Sequence, residues 1–238
     1  MRKVAVIPAR YNSKRFPGKV ITPMLSRPML VWAYEAAVKS NAFDTVRVAT
    51  DSVRVSDTCS RYGIESILTK QEHISGSSRV LEAVRDMGLS GNDIVVNIQA
   101  DEPCLLSSDI AALCLHMDNR PRCLCATIAF RSLPIQDANR VKVAIDLNHR
   151  ALYFSRAAIP YGSQYQLVHV GVYVYRYSTL ALMQALKPSP NEQDEGLEQL
   201  RLLDNGIWID IVETQSIYHA VDVPEDVLQV EAILKSRQ

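Results

Sequence analysis

The run Lys3-Val-Ala-Val-Ile7 continues directly into the basic segment Pro8-Ala-Arg-Tyr-Asn-Ser-Lys-Arg-Phe-Pro-Gly-Lys19. Its β-branched and apolar residues favour a strand that is covered on both faces, as in a parallel sheet. The basic segment then lies at the carboxyl end of this strand, where open α/β sheets bind ligands. It contains a serine, a glycine and four cations, which are Arg10, Lys14, Arg15 and Lys19. These groups suit a polyphosphate site, and a solvated basic loop is the simpler alternative.

Apolar runs alternate with helical patterns through the first half of the chain. The predicted strands cover residues 3–7, 45–50, 64–68 and 93–98, and the predicted helices cover residues 28–39, 53–62 and 78–87. Gly63 and Gly88 follow two of these helices, as glycines at helix C-termini do. The alternation is typical of βαβ units. We therefore predict an α/β fold with a mostly parallel, Rossmann-like sheet flanked by helices.

The pattern changes after about residue 130, where strand-like segments are joined by turns too short for crossover helices. The segments 141–145, 151–154 and 167–175 predict an antiparallel insertion at about residues 131–176. Within the third segment, one face carries Val168, Val170, Val172 and Val174. Helices are expected at 178–186, at 195–205 and from 224, with a strand at 207–212. Because no linker interrupts the chain, we predict a single domain over residues 1–238.

The overall composition excludes several classes of protein. Lys+Arg and Asp+Glu both number 26, so the formal net charge is zero. Proteins that bind nucleic acid or membrane surfaces generally need a basic surplus, so we expect neither partner. The longest apolar runs are too short for a membrane span. The five cysteines form no Cys-x-x-Cys pair, which favours reduced core residues and a cytoplasmic location.

Two acidic segments follow predicted strands or precede a predicted helix. Gln99-Ala-Asp-Glu-Pro103 comes directly after the apolar strand at 93–98, and Val221-Asp-Val-Pro-Glu-Asp226 precedes the last helix. Mg²⁺ commonly takes one or two carboxylates together with phosphate oxygens, so Asp101 and Asp222 are candidate ligands. The simpler alternatives are a turn for the first segment and a helix start for the second.

These motifs, together with others further along the chain, resemble the 3-deoxy-manno-octulosonate cytidylyltransferases, also called CMP-Kdo synthetases. The resemblance runs nearly end to end. It rests on Ile7-Pro-Ala-Arg-Tyr11, Arg15-Phe-Pro-Gly-Lys19, Val48-Ala-Thr-Asp51, His73-Ile-Ser-Gly76, Arg79, Asn97-Ile-Gln-Ala-Asp-Glu-Pro103, Val141-Lys-Val143, Ala151-Leu-Tyr-Phe-Ser-Arg156, Ile159-Pro160, His169-Val-Gly-Val-Tyr173, Leu197-Glu-Gln-Leu-Arg201 and Val221-Asp-Val-Pro-Glu-Asp226. It implies a nucleotidyltransferase sheet, and an insertion that forms a dimerisation subdomain whose valine face would be covered by the partner of a homodimer.

The resemblance also implies a role for each matching residue. Arg10 and Lys19 would hold the triphosphate of CTP, with Arg15 supporting the loop. Ser75, Gly76 and Gln99 would contact the cytosine or the ribose. Asp101 and Asp222 would bind Mg²⁺. The residues implied around the sugar acid are Arg156, His169, Tyr173, Glu198 and Gln199. Without the resemblance, His169 could be a satisfied core histidine, Glu198 a solvated helix charge and Arg156 part of a structural ion pair.

The implied reaction is transfer of CMP from CTP to the anomeric hydroxyl of a 3-deoxy-2-keto sugar acid, with release of pyrophosphate. Four positions depart from the family pattern: Ser77-Ser78 replaces a threonine and an acidic residue, Ala100 replaces a glycine, and Val20 replaces a proline. We expect these departures to lie on the nucleotide side. They leave open a modified acid sugar, such as 8-amino-Kdo or a sialic-acid-like substrate, or a non-catalytic nucleotide-binding relative.

Overall fold

The computed structural model describes residues 1–13, 15–73 and 75–237. Lys14, one of the four cations of the basic segment, lies outside the described residues. The strands are β1 (Lys3–Pro8), β2 (Pro23–Met24), β3 (Arg27–Pro28), β4 (Thr45–Thr50), β5 (Ser66–Leu68), β6 (Ile94–Ile98), β7 (Cys125–Ser132), β8 (Lys142–Ile145), β9 (Ala151–Ser155), β10 (Gln166–Arg176) and β11 (Asp210–Thr214). The helices are α1 (Met29–Lys39), α2 (Val53–Arg61), α3 (Gly76–Val84), α4 (Ser107–Asn119), α5 (Tyr177–Ala185), α6 (Pro190–Glu195), α7 (Leu200–Asp204) and α8 (Asp226–Ser236).

The central sheet has the strand order β11-β7-β10-β6-β1-β4-β5. Strand β1 pairs in parallel with both β4 and β6, and β4 pairs in parallel with β5. Successive residues of β1 point to opposite faces, so Ala5 and Ile7 enter one core cluster while Val4 and Val6 enter the other. Helices α1, α2, α4 and α8 contribute to the first cluster, and α3, α5 and α7 to the second. The predicted α/β fold with a mostly parallel sheet flanked by helices is confirmed.

The antiparallel strands are part of this sheet. Strand β10 lies between β6 and β7 and is antiparallel to both, and the β8–β9 hairpin extends from its first half. The prediction that the valine face is a dimer surface was wrong. Val168, Val170, Val172 and Val174 are all buried in the chain's own core, because the helices of the first cluster cover that face.

The helix predicted at 195–205 is divided into two. Helix α6 ends at Gly196, which has a positive φ of 61° that glycine adopts without strain, and α7 starts only at Leu200. The turn between them carries Glu198 and Gln199. Helix α4 was not predicted from the sequence. Among the described residues, no helix is long and apolar enough to cross a membrane.

Candidate active site

The parallel strands bring the predicted nucleotide-binding residues to one edge of the sheet. The register pairs Pro8 of β1 with Ala49 of β4, and Val6 of β1 with Asn97 of β6, so the carboxyl ends of the three strands adjoin. Arg10 follows β1, and Gln99 and Asp101 follow β6. This is the edge at which the sequence predicts ligand binding.

A smaller cavity of about 220 Å³ opens at this edge. Six of the eight residues predicted for the nucleotide side line it, and Arg15 and Asp222 do not. The six are Arg10, Lys19, Ser75, Gly76, Gln99 and Asp101. Gly76 starts helix α3 and lies against Gln99, because a Cβ on Gly76 would be only 3.1 Å from Gln99 Nε2. The absence of a side chain therefore lets Gln99 pass between the strand edge and the helix.

Two cations of the basic segment, Lys19 and Arg15, are already paired with the two candidate metal ligands. Lys19 is 8% exposed, and its Nζ donates to Asp101 Oδ2 at 2.5 Å and to the Val221 carbonyl at 2.7 Å. Arg15 donates to Asp222 Oδ1 at 2.6 Å and to Asn139 Oδ1 at 2.6 Å. A buried ammonium requires such partners, since desolvation strongly disfavours an isolated charge.

A main-chain hydrogen bond also holds the segments of Asp101 and Asp222 side by side. The Val221 amide donates to the Asp101 carbonyl at 3.0 Å, so the residue before Asp222 is tied to Asp101. Burial raises the pKa of Asp222, and the negative charge of Asp101 raises it further against the opposing effects of Lys19 and Arg15. Two neighbouring carboxylates, of which Asp101 disfavours the ionisation of Asp222, are a donor set that suits a hard divalent cation. The residues present therefore fit Mg²⁺.

A larger cavity of about 560 Å³ adjoins the smaller one. Arg10, Gln99 and Asp101 line both cavities. The remaining wall of the larger cavity includes Asp222 and all five residues predicted around the sugar acid: Arg156, His169, Tyr173, Glu198 and Gln199. The two predicted groups of residues thus face two adjoining spaces with Asp101 on their shared wall.

Glu198 lies at the junction of the two groups. Its Oε1 accepts from Ser75 Oγ at 2.8 Å, from Gln184 Nε2 at 3.1 Å and from the Ser77 hydroxyl. Ser75 also caps helix α3 through the Ser78 amide. Ser77, a departure expected on the nucleotide side, therefore also contacts a residue predicted for the sugar side.

Arg156 is held by main-chain oxygens. Its Nε donates to the Glu195 carbonyl at 2.7 Å, Nη1 to the Ala138 carbonyl at 3.1 Å and Nη2 to the Gly196 carbonyl at 3.4 Å. The described part of the chain gives it no ion pair, so the structural ion-pair alternative does not hold there. A guanidinium has five N–H donors and these contacts use three, so two of them remain without a partner in the described residues, beside the cavity that Arg156 lines.

Three buried polar atoms of the larger cavity have no hydrogen-bond partner in the described chain. They are Glu102 Oε2, His169 Nε2 and Tyr173 Oη. Burial lowers the pKa of His169 to about 3, which keeps the imidazole neutral, and burial raises the pKa of Tyr173. Burial, assisted by the charge of Asp101, raises the pKa of Glu102 to about 8. Sequence analysis missed Glu102, although it adjoins Asp101 in the same motif.

Comparison with known proteins places this geometry in a family. Residues 4–214 match the family model described as cytidylyltransferase. The 3-deoxy-manno-octulosonate cytidylyltransferase of Syntrophobacter fumaroxidans is 41% identical over 98% of this chain and 97% of that protein. The chain belongs to this family. A protein of the same name from Zea mays is 35% identical over 99% of this chain and 82% of its own length.

Solved structures agree with this assignment. A CMP:2-keto-3-deoxy-manno-octonic acid synthetase complexed with CTP superposes with a TM-score of 0.92, at 34% identity and with both chains covered completely. A glucose-1-phosphate thymidylyltransferase from Bacillus anthracis superposes with a TM-score of 0.69 at 16% identity, covering 97% of this chain and 94% of that one, which shows the fold alone. The predicted family, fold class and nucleotidyltransferase activity are confirmed, and the roles of individual site residues stay predictions.

Proposed function

We propose that this chain transfers CMP from CTP to the anomeric hydroxyl of 3-deoxy-manno-octulosonate and releases pyrophosphate. The observation that carries the proposal is the pair of adjoining cavities with Asp101 on their shared wall. A basic segment borders one cavity, and Arg156 together with hydrogen-bonding groups suited to hydroxyls borders the other. The names of the relatives supply the identity of the two substrates.

The smaller cavity would receive the nucleotide. Arg10 is exposed at its rim and lines both cavities, so its guanidinium would reach the triphosphate without breaking an ion pair. Lys19 would exchange part of its bonding to Asp101 for phosphate oxygens, and Arg15 would support the loop through Asp222. Ser75, Gly76 and Gln99 would contact the cytosine or the ribose.

Asp101 and Asp222 would hold Mg²⁺ beside the phosphates. The bound ion would neutralise charge on the α-phosphate and on the departing pyrophosphate. Lys19, fixed between the Asp101 carboxylate and the Val221 carbonyl, would keep the two ligand segments together. Arg10 and Lys19 would add positive charge where the pyrophosphate develops.

The larger cavity would receive the sugar acid. Arg156 would pair its free N–H groups with the carboxylate, while its carbonyl contacts fix the plane of the guanidinium. His169, Tyr173, Glu198 and Gln199 would bind hydroxyls. The anomeric oxygen would then attack the α-phosphorus in line as the bond to the β-phosphate breaks. Positioning supplies much of the catalysis of such a step.

The chain is also proposed to act as a homodimer in the cytoplasm. The insertion exposes five large apolar side chains, Leu133, Leu147, Leu152, Tyr161 and Tyr165, which replace the buried valine face as the candidate partner surface. The five cysteines are buried and unpaired, as expected in a reducing compartment. Light scattering after size exclusion should give twice the chain mass at micromolar concentration, and a monomer would contradict the dimer.

The test of the activity is pyrophosphate release from CTP across a panel of acid sugars. We expect turnover with 3-deoxy-manno-octulosonate and little with UTP or ATP in place of CTP. The panel includes an 8-amino analogue and a sialic acid, because Ser77, one of the departing positions, contacts Glu198. Preference for either would identify a modified sugar as the substrate. CTP binding without turnover of any sugar acid would instead favour a non-catalytic relative.

A further inference from the structure

Glu102 places a buried carboxyl group in the wall of the larger cavity. The residue is 6% exposed. Its Oε1 accepts the Gly171 amide at 2.8 Å, whereas its Oε2 has no partner in the described residues. A buried polar atom without a partner destabilises the free protein, so its retention needs an explanation.

Two neighbours of Glu102 in the cavity wall share this feature. His169 Nε2 and Tyr173 Oη, both on β10, are likewise buried without partners in the described residues. Only one other side-chain atom in the described ranges, Arg47 Nε, is in the same state, and it lies outside both cavities. The unpartnered atoms therefore concentrate in a single space of about 560 Å³, which is the pattern expected of a site whose ligand supplies the missing hydrogen bonds.

Gly171 fixes the carboxyl group in this position. A Cβ there would stand 3.0 Å from both Gln99 Cγ and Glu102 Oε1. The Gly171 carbonyl also accepts the Gln99 amide at 3.0 Å. Strand β10 can therefore approach the end of β6 closely enough to hold one oxygen of Glu102 and leave the other in the cavity.

We propose that Glu102 binds the sugar acid by pairing its Oε2 with one hydroxyl of that substrate. The inference rests on the proposed function and adds a residue to its sugar site. A hydroxyl fits because it can donate to a carboxylate or accept from a protonated acid, so the contact does not depend on the charge of Glu102. The carboxylate of the sugar, which Arg156 is proposed to bind, and the triphosphate do not fit at Oε2, because the negative charges of Asp101 and Asp222 act on Glu102 and would repel an anion placed against it.

The experiment compares wild type, Glu102→Gln and Glu102→Ala with a set of sugar acids that each lack one hydroxyl. We expect Glu102→Ala to raise the KM for the sugar acid about tenfold to a hundredfold, with the KM for CTP changed less than twofold. One deoxy analogue should lose affinity in wild type and show no further loss in Glu102→Ala. This cancellation identifies the hydroxyl that Glu102 binds.

The rival role is a ligand to the divalent cation. It predicts instead a higher Mg²⁺ concentration for half-maximal activity, with the KM for the sugar acid unchanged, and that result would overturn the proposal. Glu35→Gln is the control for a carboxyl group outside the site, since Glu35 pairs with Arg27 on the surface. Glu102→Gln should keep much of the contact, because an amide also pairs with a hydroxyl. If Glu102→Ala does not fold, Glu102→Met, which keeps most of the volume and removes both carboxyl oxygens, carries the test, and equal losses with every deoxy analogue in this variant and in wild type would overturn the proposal.

The same assay separates this inference from the proposed function. No pyrophosphate release by wild type with any sugar acid would overturn the proposed function. Turnover by wild type with an unaltered KM in both Glu102 variants would overturn only the role of Glu102.

Discussion

The two cavities of the candidate active site treat their polar groups in opposite ways. On the nucleotide side two cations are paired within the chain, Lys19 with Asp101 at the smaller cavity and Arg15 with Asp222, which lines the larger one. At the larger cavity, Glu102, His169 and Tyr173 each keep a buried atom without a partner in the described residues. Under the proposed function, nucleotide binding would exchange existing partners, whereas sugar binding would supply missing ones. Removal of a paired group should accordingly lower the stability of the free protein, whereas removal of an unpaired buried group should raise it.

One residue connects the two regions. Glu198 lines the larger cavity, yet its carboxylate is fixed by Ser75 and Ser77 from the start of α3 and by Gln184 from α5. The helix that carries the nucleotide-side Gly76 thus also orients a sugar-side carboxylate. Because α3 lines one cavity and orients a residue of the other, the contrast between the cavities lies in whether their polar groups have hydrogen-bond partners.

The largest expected effect belongs to the paired region. We expect Asp101→Asn to reduce kcat on the order of a thousandfold, because it removes a metal ligand and the anion that neutralises the buried Lys19 ammonium. Pyrophosphate release at saturating CTP and sugar acid measures the loss, and circular dichroism checks the fold. Asp118→Asn, which removes a partly exposed pair with Lys3, is the control. Near-normal turnover in Asp101→Asn would remove Asp101 from the proposed metal site.

The sequence predicts the paired region better than the unpaired one, for a physical reason. Arg10, Lys19, Gln99 and Asp101 follow the ends of adjacent parallel strands, and a strand end is visible as the point where an apolar run stops. The sequence does not show that Glu102 Oε2 has no hydrogen-bond partner, because this depends on how closely β10 approaches β6 at Gly171.

The valine alternation shows the same limit. Period-2 patterning in β10 predicted that one face is apolar, and that was right. It could not say whether helices of the same chain or a second subunit cover the face, since both bury the same residues. The contact between Ser77 and Glu198 likewise joins residues far apart in the chain, and neither local motif indicates it.

A second test uses the pH dependence of stability at the unpaired region. Burial lowers the pKa of His169 from 6.5 to about 3 in the folded state. Between these values the unfolded chain binds more protons than the native one, so the free energy of unfolding falls as the pH falls below 6.5. Between pH 7.5 and pH 5 the contribution of His169 should decrease by about 2 kcal/mol.

Urea denaturation of His169→Gln at the two pH values measures this contribution. The variant should lose less stability than wild type on acidification, because its side chain does not titrate. His149→Gln, which removes an exposed imidazole in contact with Glu213, is the matched control for a histidine-to-glutamine substitution. Equal slopes for wild type and His169→Gln would mean that His169 reaches solvent in the native state, and the contrast between the cavities would weaken.

The third test asks whether Arg156 belongs to the sugar side. Arg156→Lys should raise the KM for the sugar acid about tenfold, because an ammonium cannot satisfy three carbonyls and still grip a carboxylate with two parallel bonds. The KM for CTP should stay within twofold. Arg131→Lys, at an exposed pair with Glu213, controls for a general effect of the substitution. Loss of CTP binding with normal sugar affinity would place Arg156 in the nucleotide region.

The smallest expected effect is a change in stability whose direction separates the paired from the unpaired hydroxyl. Tyr173→Phe removes a hydroxyl that is buried without a partner in the described residues, so we expect the free protein to become more stable by about 1 kcal/mol in urea denaturation. The same change should weaken sugar binding about fivefold, since the ligand loses a hydrogen bond. Tyr218 is the matched control, because it is equally buried and its hydroxyl donates to Asp109. Tyr218→Phe should destabilise the protein while Tyr173→Phe stabilises it. If both variants were destabilised, the Tyr173 hydroxyl would have a partner in the free protein, and the distinction between a paired and an unpaired cavity would fail at that residue.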